Sequence, residues 1–136
     1  MSGPGPDIPA AEKAALFQKW TGTWETPRGF VYDAELLATF NPSGAVEGRI
    51  HWTLRRAPAD RPDYAGKEGQ TGIEYIWGTY APQSRSLNLE GYRRDDPRGI
   101  LALDKYRLTL SDNLGEIRGT TYDHGRWEAV LRLSNR

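Results

Sequence analysis

The chain of 136 residues has no cysteine, no long apolar run and no excess of charge of either sign. Without cysteine, disulfides, thiol catalysis and thiolate metal sites are excluded. The 18 Lys and Arg residues balance the 18 Asp and Glu residues, which argues against charge-driven binding to nucleic acid or to an anionic membrane surface. Apolar runs of only a few residues are too short to cross a bilayer.

The N-terminal segment, residues 1–9, has neither the basic nor the apolar region of a secretory signal. We therefore expect a cytoplasmic protein. This segment is rich in glycine and proline, a composition that predicts a flexible tail. The remaining residues, 10–136, fit one domain.

Helix-forming residues follow the tail and predict one short helix from Pro9 to about Trp20. Beyond it, apolar and polar residues alternate with period two, which is typical of half-buried strands. The pattern predicts eight strands, at residues 22–25, 31–40, 45–54, 71–80, 86–92, 99–110, 116–122 and 126–133.

Short connections between these strands predict an antiparallel meander. Because a flat sheet would expose its edges and its apolar face, we expect closure into an eight-stranded up-and-down β-barrel. A two-sheet sandwich is the alternative. A barrel of this size is either filled by side chains or holds one small ligand.

One predicted connection, residues 55–70, is long and has no apolar alternation. Loops of this length are usually functional or disordered. The segment is either a lid over a barrel mouth or a solvated excursion.

The sequence Thr21-Gly22-Thr23-Trp24, between the predicted helix and the first strand, resembles the calycin superfamily of lipocalins, fatty-acid-binding proteins and avidins. The resemblance implies that Trp24 plugs one end of the barrel and that Arg132, or else Arg136, packs across the indole. The residues that follow, Glu25-Thr26-Pro27-Arg28, lack the Asn, Ser and Tyr that bind biotin in avidins. The resemblance therefore implies a barrel without naming its ligand.

A carboxylate interrupts the apolar face of the strand predicted at residues 99–110. Strict alternation points Asp104 into the barrel together with Tyr106. A buried carboxylate is costly unless it is paired or hydrogen-bonded. Asp104 would therefore anchor a polar ligand, act as a general acid or base, or tie a neighbouring side chain into the wall; if Leu101 and Leu103 face inward instead, it lies in water.

Aromatic residues on the strands could line a pocket or simply fill the core. The strand at residues 71–80 is ambiguous, because either Ile73, Tyr75 and Trp77 or Glu74, Ile76 and Tyr80 could face inward. We predict a ligand-binding set of Trp52, Tyr75, Trp77, Tyr92, Asp104, Tyr106 and Trp127.

These patterns favour a protein that binds a small apolar or amphipathic molecule, with no cofactor and no metal. A barrel enzyme of the isomerase, cyclase or lyase type that uses Asp104 is the first alternative, ranked lower because no nucleophile–base signature is present. A solid-core interaction module is the second. Leu37, Leu101, Leu103 and Val130, expected on the outer face, would allow a homodimer.

Overall fold

The eight strands form a closed antiparallel barrel in the computed structural model, which describes residues 8–41, 43–123 and 125–136. Each strand pairs with the next in the chain, and the last strand returns to pair with the first. This confirms the predicted up-and-down barrel and excludes the open sandwich. The elements of the described residues are α1 (Ala10–Leu16), β1 (Trp20–Glu25), β2 (Val31–Phe40), β3 (Ala45–Arg56), a 3-10 turn (Pro62–Tyr64), β4 (Thr71–Ala81), β5 (Ser86–Asp95), β6 (Lys105–Leu110), β7 (Glu116–Asp123) and β8 (Arg126–Ser134).

The core lies inside the barrel and is built by the alternation of the strands. On β2 and β3 the even-numbered side chains point inward and are mostly buried, whereas their odd-numbered neighbours are more exposed. The buried residues of these two strands are Tyr32, Ala34, Leu36, Phe40, Val46, Ile50, Trp52 and Leu54.

β1 and β8 approach each other so closely at Gly22 that no side chain fits there. A β-carbon at position 22 would lie 1.7 Å from the carbonyl oxygen of Arg132. Trp24 points inward opposite Leu131, whereas Arg132 is exposed and pairs with Thr23 on the outer face. The expected packing of Arg132 on the indole is therefore wrong, because the two side chains lie on opposite faces of the sheet.

The helix packs at one end of the barrel. Phe17, directly after α1, lies edge-on to Phe40 with 5.8 Å between ring centroids, and the Tyr80 hydroxyl donates a hydrogen bond to Glu12. The helix is shorter than predicted, since Trp20 already begins β1. Ile8, which the composition assigned to the tail, is buried in the core; residues 1–7 lie outside the described residues.

The longer connections lie at the end of the barrel opposite α1. One of them takes the place of the first half of the strand predicted at residues 99–110. Residues 99–104 are a loop, and β6 begins only at Lys105. The Asp96 carboxylate accepts hydrogen bonds from the N–H groups of Ile100 (2.9 Å) and Leu101 (2.8 Å). Gly99 has a φ of +67°, which favours glycine. The loop is thus held over the barrel instead of continuing the sheet.

Neither helical segment in the described part of the chain is long and apolar enough to span a membrane.

Candidate functional site

A cavity of about 40 Å³ lies inside the barrel at the end opposite α1. Pockets for drug-sized ligands measure roughly 300–1,000 Å³, and a single water needs about 10–15 Å³. This space therefore admits only a few heavy atoms. Its lining includes six aromatic residues, Trp24, Phe30, Tyr32, Trp52, Tyr64 and Tyr106, and two carboxyl residues, Glu74 and Asp104.

Three of the aromatic rings form a mutually perpendicular group. Trp24 lies 5.2 Å from Tyr32 and 6.2 Å from Trp52, while Tyr32 and Trp52 are 5.9 Å apart, all between ring centroids and all edge-to-face. The Trp24 indole N–H donates a 2.8 Å hydrogen bond to the hydroxyl of Thr121. These contacts fix the rings, since edge-to-face pairs at this spacing are favourable.

Glu74 on β4 is the most deeply buried carboxyl group described, with 1% of its surface exposed. Its Oε1 accepts hydrogen bonds from the Trp52 indole N–H (3.1 Å) and the Tyr106 hydroxyl (2.5 Å). Its Oε2 accepts one from the backbone N–H of Asp104 (3.1 Å). Donors from two strands and a loop thus converge on one side chain.

The charge on Glu74 is set by two opposing effects. Burial raises the pKa of Glu74 from 4.5 to about 7, and the hydrogen bonds from Tyr106, Asp104 and Trp52 act against this rise. Desolvation prevails because the carboxylate loses the stabilisation of bulk water. Near neutral pH the group is therefore able both to donate and to accept a proton.

Asp104 lies at the junction of the loop and β6, and 9% of its surface is exposed. Its backbone links two neighbours, since its N–H donates to Glu74 and its carbonyl oxygen accepts the N–H of Gly91 at 2.8 Å. Asp104 is buried, in agreement with the inward orientation that strict alternation predicts, and it lines the cavity. The other carboxyl residue of the lining, Glu74, is the one on which the hydrogen bonds converge.

Two connections cover the mouth of the cavity. Tyr64, from the segment predicted as a lid or an excursion, lies edge-on to Phe30 with 5.0 Å between centroids. The Arg61 guanidinium lies over both rings, at 5.4 Å from Phe30 and 5.0 Å from Tyr64. From the β5–β6 loop, the Ile100 carbonyl accepts a hydrogen bond from Tyr32. The segment thus carries a residue of the cavity wall, as a lid would.

Of the seven predicted ligand-binding residues, Trp52, Asp104 and Tyr106 line the cavity. Tyr75, Trp77 and Tyr92 do not, because the inward face of β4 carries Glu74, Ile76 and Tyr80 instead. Trp77 is 51% exposed and stacks on Tyr92 at 4.2 Å on the outer surface. A bulge pairs Tyr75 with Arg93 and Ile76 with Gly91, leaving Tyr92 as the extra residue. The prediction that these three aromatic residues face inward is wrong.

Trp127 also lies outside the cavity. A second bulge pairs Thr121 with Ala129 but Tyr122 with Trp127, so the alternation of β8 reverses there. The Trp127 ring packs under the Arg107 guanidinium at 3.7 Å and against Tyr122. Leu101, expected on the outer face, lines the cavity.

Glu74 belongs to one of the two possible inner sets of its strand, but it is not among the predicted ligand-binding residues. The signal for it was the inner set of Glu74, Ile76 and Tyr80, which competed with a more aromatic set on the same strand. Gly91 on the neighbouring strand was a second signal, since a β-carbon there would lie 2.0 Å from Glu74 Oε2. Gly91, which pairs with Ile76, thus leaves room for the Glu74 carboxyl group.

Among the described residues, no group of three His, Cys, Asp or Glu side chains is arranged to hold a metal ion. No family model, curated protein or solved structure matches the chain.

Proposed function

We propose that this protein binds a small, partly apolar molecule in the cavity at the loop end of the barrel. The observation that carries the proposal is the convergence of Trp52, Tyr106 and the Asp104 backbone on the buried Glu74 carboxyl, beside a lined cavity. Cavities that combine aromatic walls with a few convergent polar groups are typical small-molecule sites.

The size of the cavity limits what it takes. A space of about 40 Å³ accepts a small molecule or the polar end of a longer one whose remainder passes between Phe30, Tyr64 and the β5–β6 loop. We infer that the barrel is calycin-like, that is, a closed meander with a ligand site inside one end. The closed meander and the close approach of β8 to Gly22 support that inference.

Binding is tested by NMR on the full chain labelled with ¹⁵N. The panel contains phenol, 1-butanol, butanoate and n-butylammonium, and the Trp24 and Trp52 indole signals are followed. Ala102→Trp fills the mouth from an exposed lining position, and Ala59→Trp is the matched control on an exposed loop position outside the lining.

We expect at least one panel member to shift both indole signals in the wild type and in Ala59→Trp, with affinity at least tenfold lower in Ala102→Trp. The proposal fails if no member shifts them, or if the two variants bind equally well.

A second candidate function, proton transfer on the bound molecule, is favoured by the place of the Glu74 carboxyl residue in the cavity lining. The pKa of Glu74, raised to about 7 by burial, suits a general acid–base, because such groups work best near the operating pH. The test is deuterium uptake next to the carbonyl of butanone in D₂O, where Glu74 would take the C–H proton and return a deuteron. Uptake no faster than in buffer, or unchanged in Glu74→Gln, rejects this role.

A further inference from the structure

The charged groups of the cavity are of one sign. Its eleven lining residues, all in the described part of the chain, include the carboxyl residues Glu74 and Asp104 and no Lys, Arg or His. We infer that the group this cavity takes is the head of a small organic cation, such as a primary ammonium, with the Glu74 carboxylate as its counter-charge. The inference rests on the proposed function and names the class of ligand.

The hydrogen bonds that the Glu74 carboxylate accepts leave a position for a ligand that donates a hydrogen bond. An ionised carboxylate has about four acceptor positions. Oε1 accepts from Trp52 and Tyr106, and Oε2 accepts from Asp104. One position on Oε2 is left for a ligand N–H, and a charge-assisted bond there would be stronger than a neutral one.

The aromatic side chains that line the cavity also favour a bound cation. Ring faces carry a partial negative charge and attract ammonium and guanidinium groups. The rings at the mouth already do so, because Arg61 lies over Phe30 and Tyr64, and Lys67 lies 5.6 Å from Tyr64. Arg61 is itself paired with Asp63 at 2.9 Å, so part of the positive charge at the mouth is balanced.

The titratable and charged residues around Glu74 bear on the pH dependence of cation binding. Asp104 and Tyr106 lie on the β5–β6 loop and β6, Tyr32 on β2 and Tyr64 on the β3–β4 connection. Arg94, the β5 residue in register with Glu74, is exposed and donates from Nη1 to the Leu101 carbonyl at 2.7 Å. Cation binding should therefore follow the ionisation of Glu74 and strengthen as the pH rises through 7.

The test compares n-butylammonium, 1-butanol and butanoate, three probes of one chain length, by the shift of the Trp52 indole N–H signal at pH 6 and pH 8. The Trp52→Phe variant assigns this signal. Glu74→Gln removes the charge, and Glu90→Gln is the control on an exposed position of β5.

We expect n-butylammonium to bind at least tenfold more tightly than the other two probes at pH 8. Its affinity should fall roughly tenfold at pH 6, which is the ratio of the ionised fractions of Glu74 at pH 8 and pH 6 for a pKa of about 7. Glu74→Gln should lose the preference and Glu90→Gln should keep it. The pH comparison uses the wild-type protein and does not depend on how the variant folds.

Equal binding of 1-butanol at pH 8, or a preference that survives Glu74→Gln, overturns the inference and leaves the proposed function standing. If none of the probes shifts the signal, the inference falls, and a negative result with phenol as well removes the proposed function.

Discussion

Gly91 and Glu74 share one space in the barrel wall. A β-carbon at position 91 would lie 2.0 Å from Oε2 of Glu74 and 2.9 Å from its carboxyl carbon. The glycine on β5 is therefore what allows β4 to bury a carboxyl group, and both residues are needed for the site.

Gly91→Ala should lower the free energy of unfolding by about 1–3 kcal/mol, the usual cost of overpacking a core. The added methyl group must displace the Glu74 carboxyl from its donors. Urea denaturation measures the loss. In a Glu74→Ala background the same substitution should cost much less, because the overlapping atoms are gone; equal costs in the two backgrounds would show that the two residues do not compete for space.

The stability of the protein should fall with rising pH because of Glu74. The pKa of this group is about 7 in the folded state, raised by burial from 4.5. The folded state therefore binds the proton more tightly than the unfolded state, and its advantage is complete below pH 4.5 and lost as the pH rises through 7. The shift corresponds to about 3 kcal/mol between these limits.

Urea denaturation at pH 5 and pH 8 measures this effect as the difference between wild type and Glu74→Gln. The wild type should lose about 2–3 kcal/mol more than the variant between pH 5 and pH 8. Glu90→Gln, on the exposed face of β5, should keep the wild-type dependence. Parallel curves for the wild type and Glu74→Gln would contradict the raised pKa.

The fold could be predicted because its signals are local. Period-two alternation over 31–40 and 45–54, and short turns between most strands, specify a meander. An apolar inner face and unpaired edges then require closure. None of these signals depends on knowing which strands lie side by side.

The site could be predicted only in part, because the two bulges depend on pairing between strands. Trp77 is apolar and is therefore predicted to lie inside the barrel. It is instead 51% exposed and stacks on Tyr92 at the outer surface. Trp127 lies on the far side of a register shift. For Glu74 the alternation leaves both faces of its strand open, and its donors come from β3, β6 and the β5–β6 loop.

Residues 99–104 are predicted to belong to a strand because Ile100, Asp104 and Tyr106 keep an even spacing. The structure buries all three, but Asp96 turns the chain by holding the amides of Ile100 and Leu101. A carboxylate that accepts two backbone bonds cannot be distinguished in sequence from a solvated acid in a turn.

Asp96→Ala should loosen this loop without unfolding the barrel. Loss of the two hydrogen bonds frees the amides of Ile100 and Leu101, and each such bond contributes about 1 kcal/mol. Hydrogen exchange at these two amides should accelerate at least tenfold, while the amides of Leu87 and Leu89 inside β5 keep their protection. Asp95→Ala, at the neighbouring exposed position, is the control; equal acceleration in both variants would show that Asp96 does not hold the loop.

The most direct measurement is a ¹³C NMR titration of the Glu74 side-chain carboxyl in the full-length protein between pH 4 and pH 9, assigned with Glu74→Gln. A buried carboxyl group that anchors a ligand in a small aromatic cavity should titrate with a midpoint near pH 7, as its pKa of about 7 requires. A midpoint near 4.5 would show a group in contact with bulk water, and the cavity, its anchor and the proposed ligand would lose their basis together.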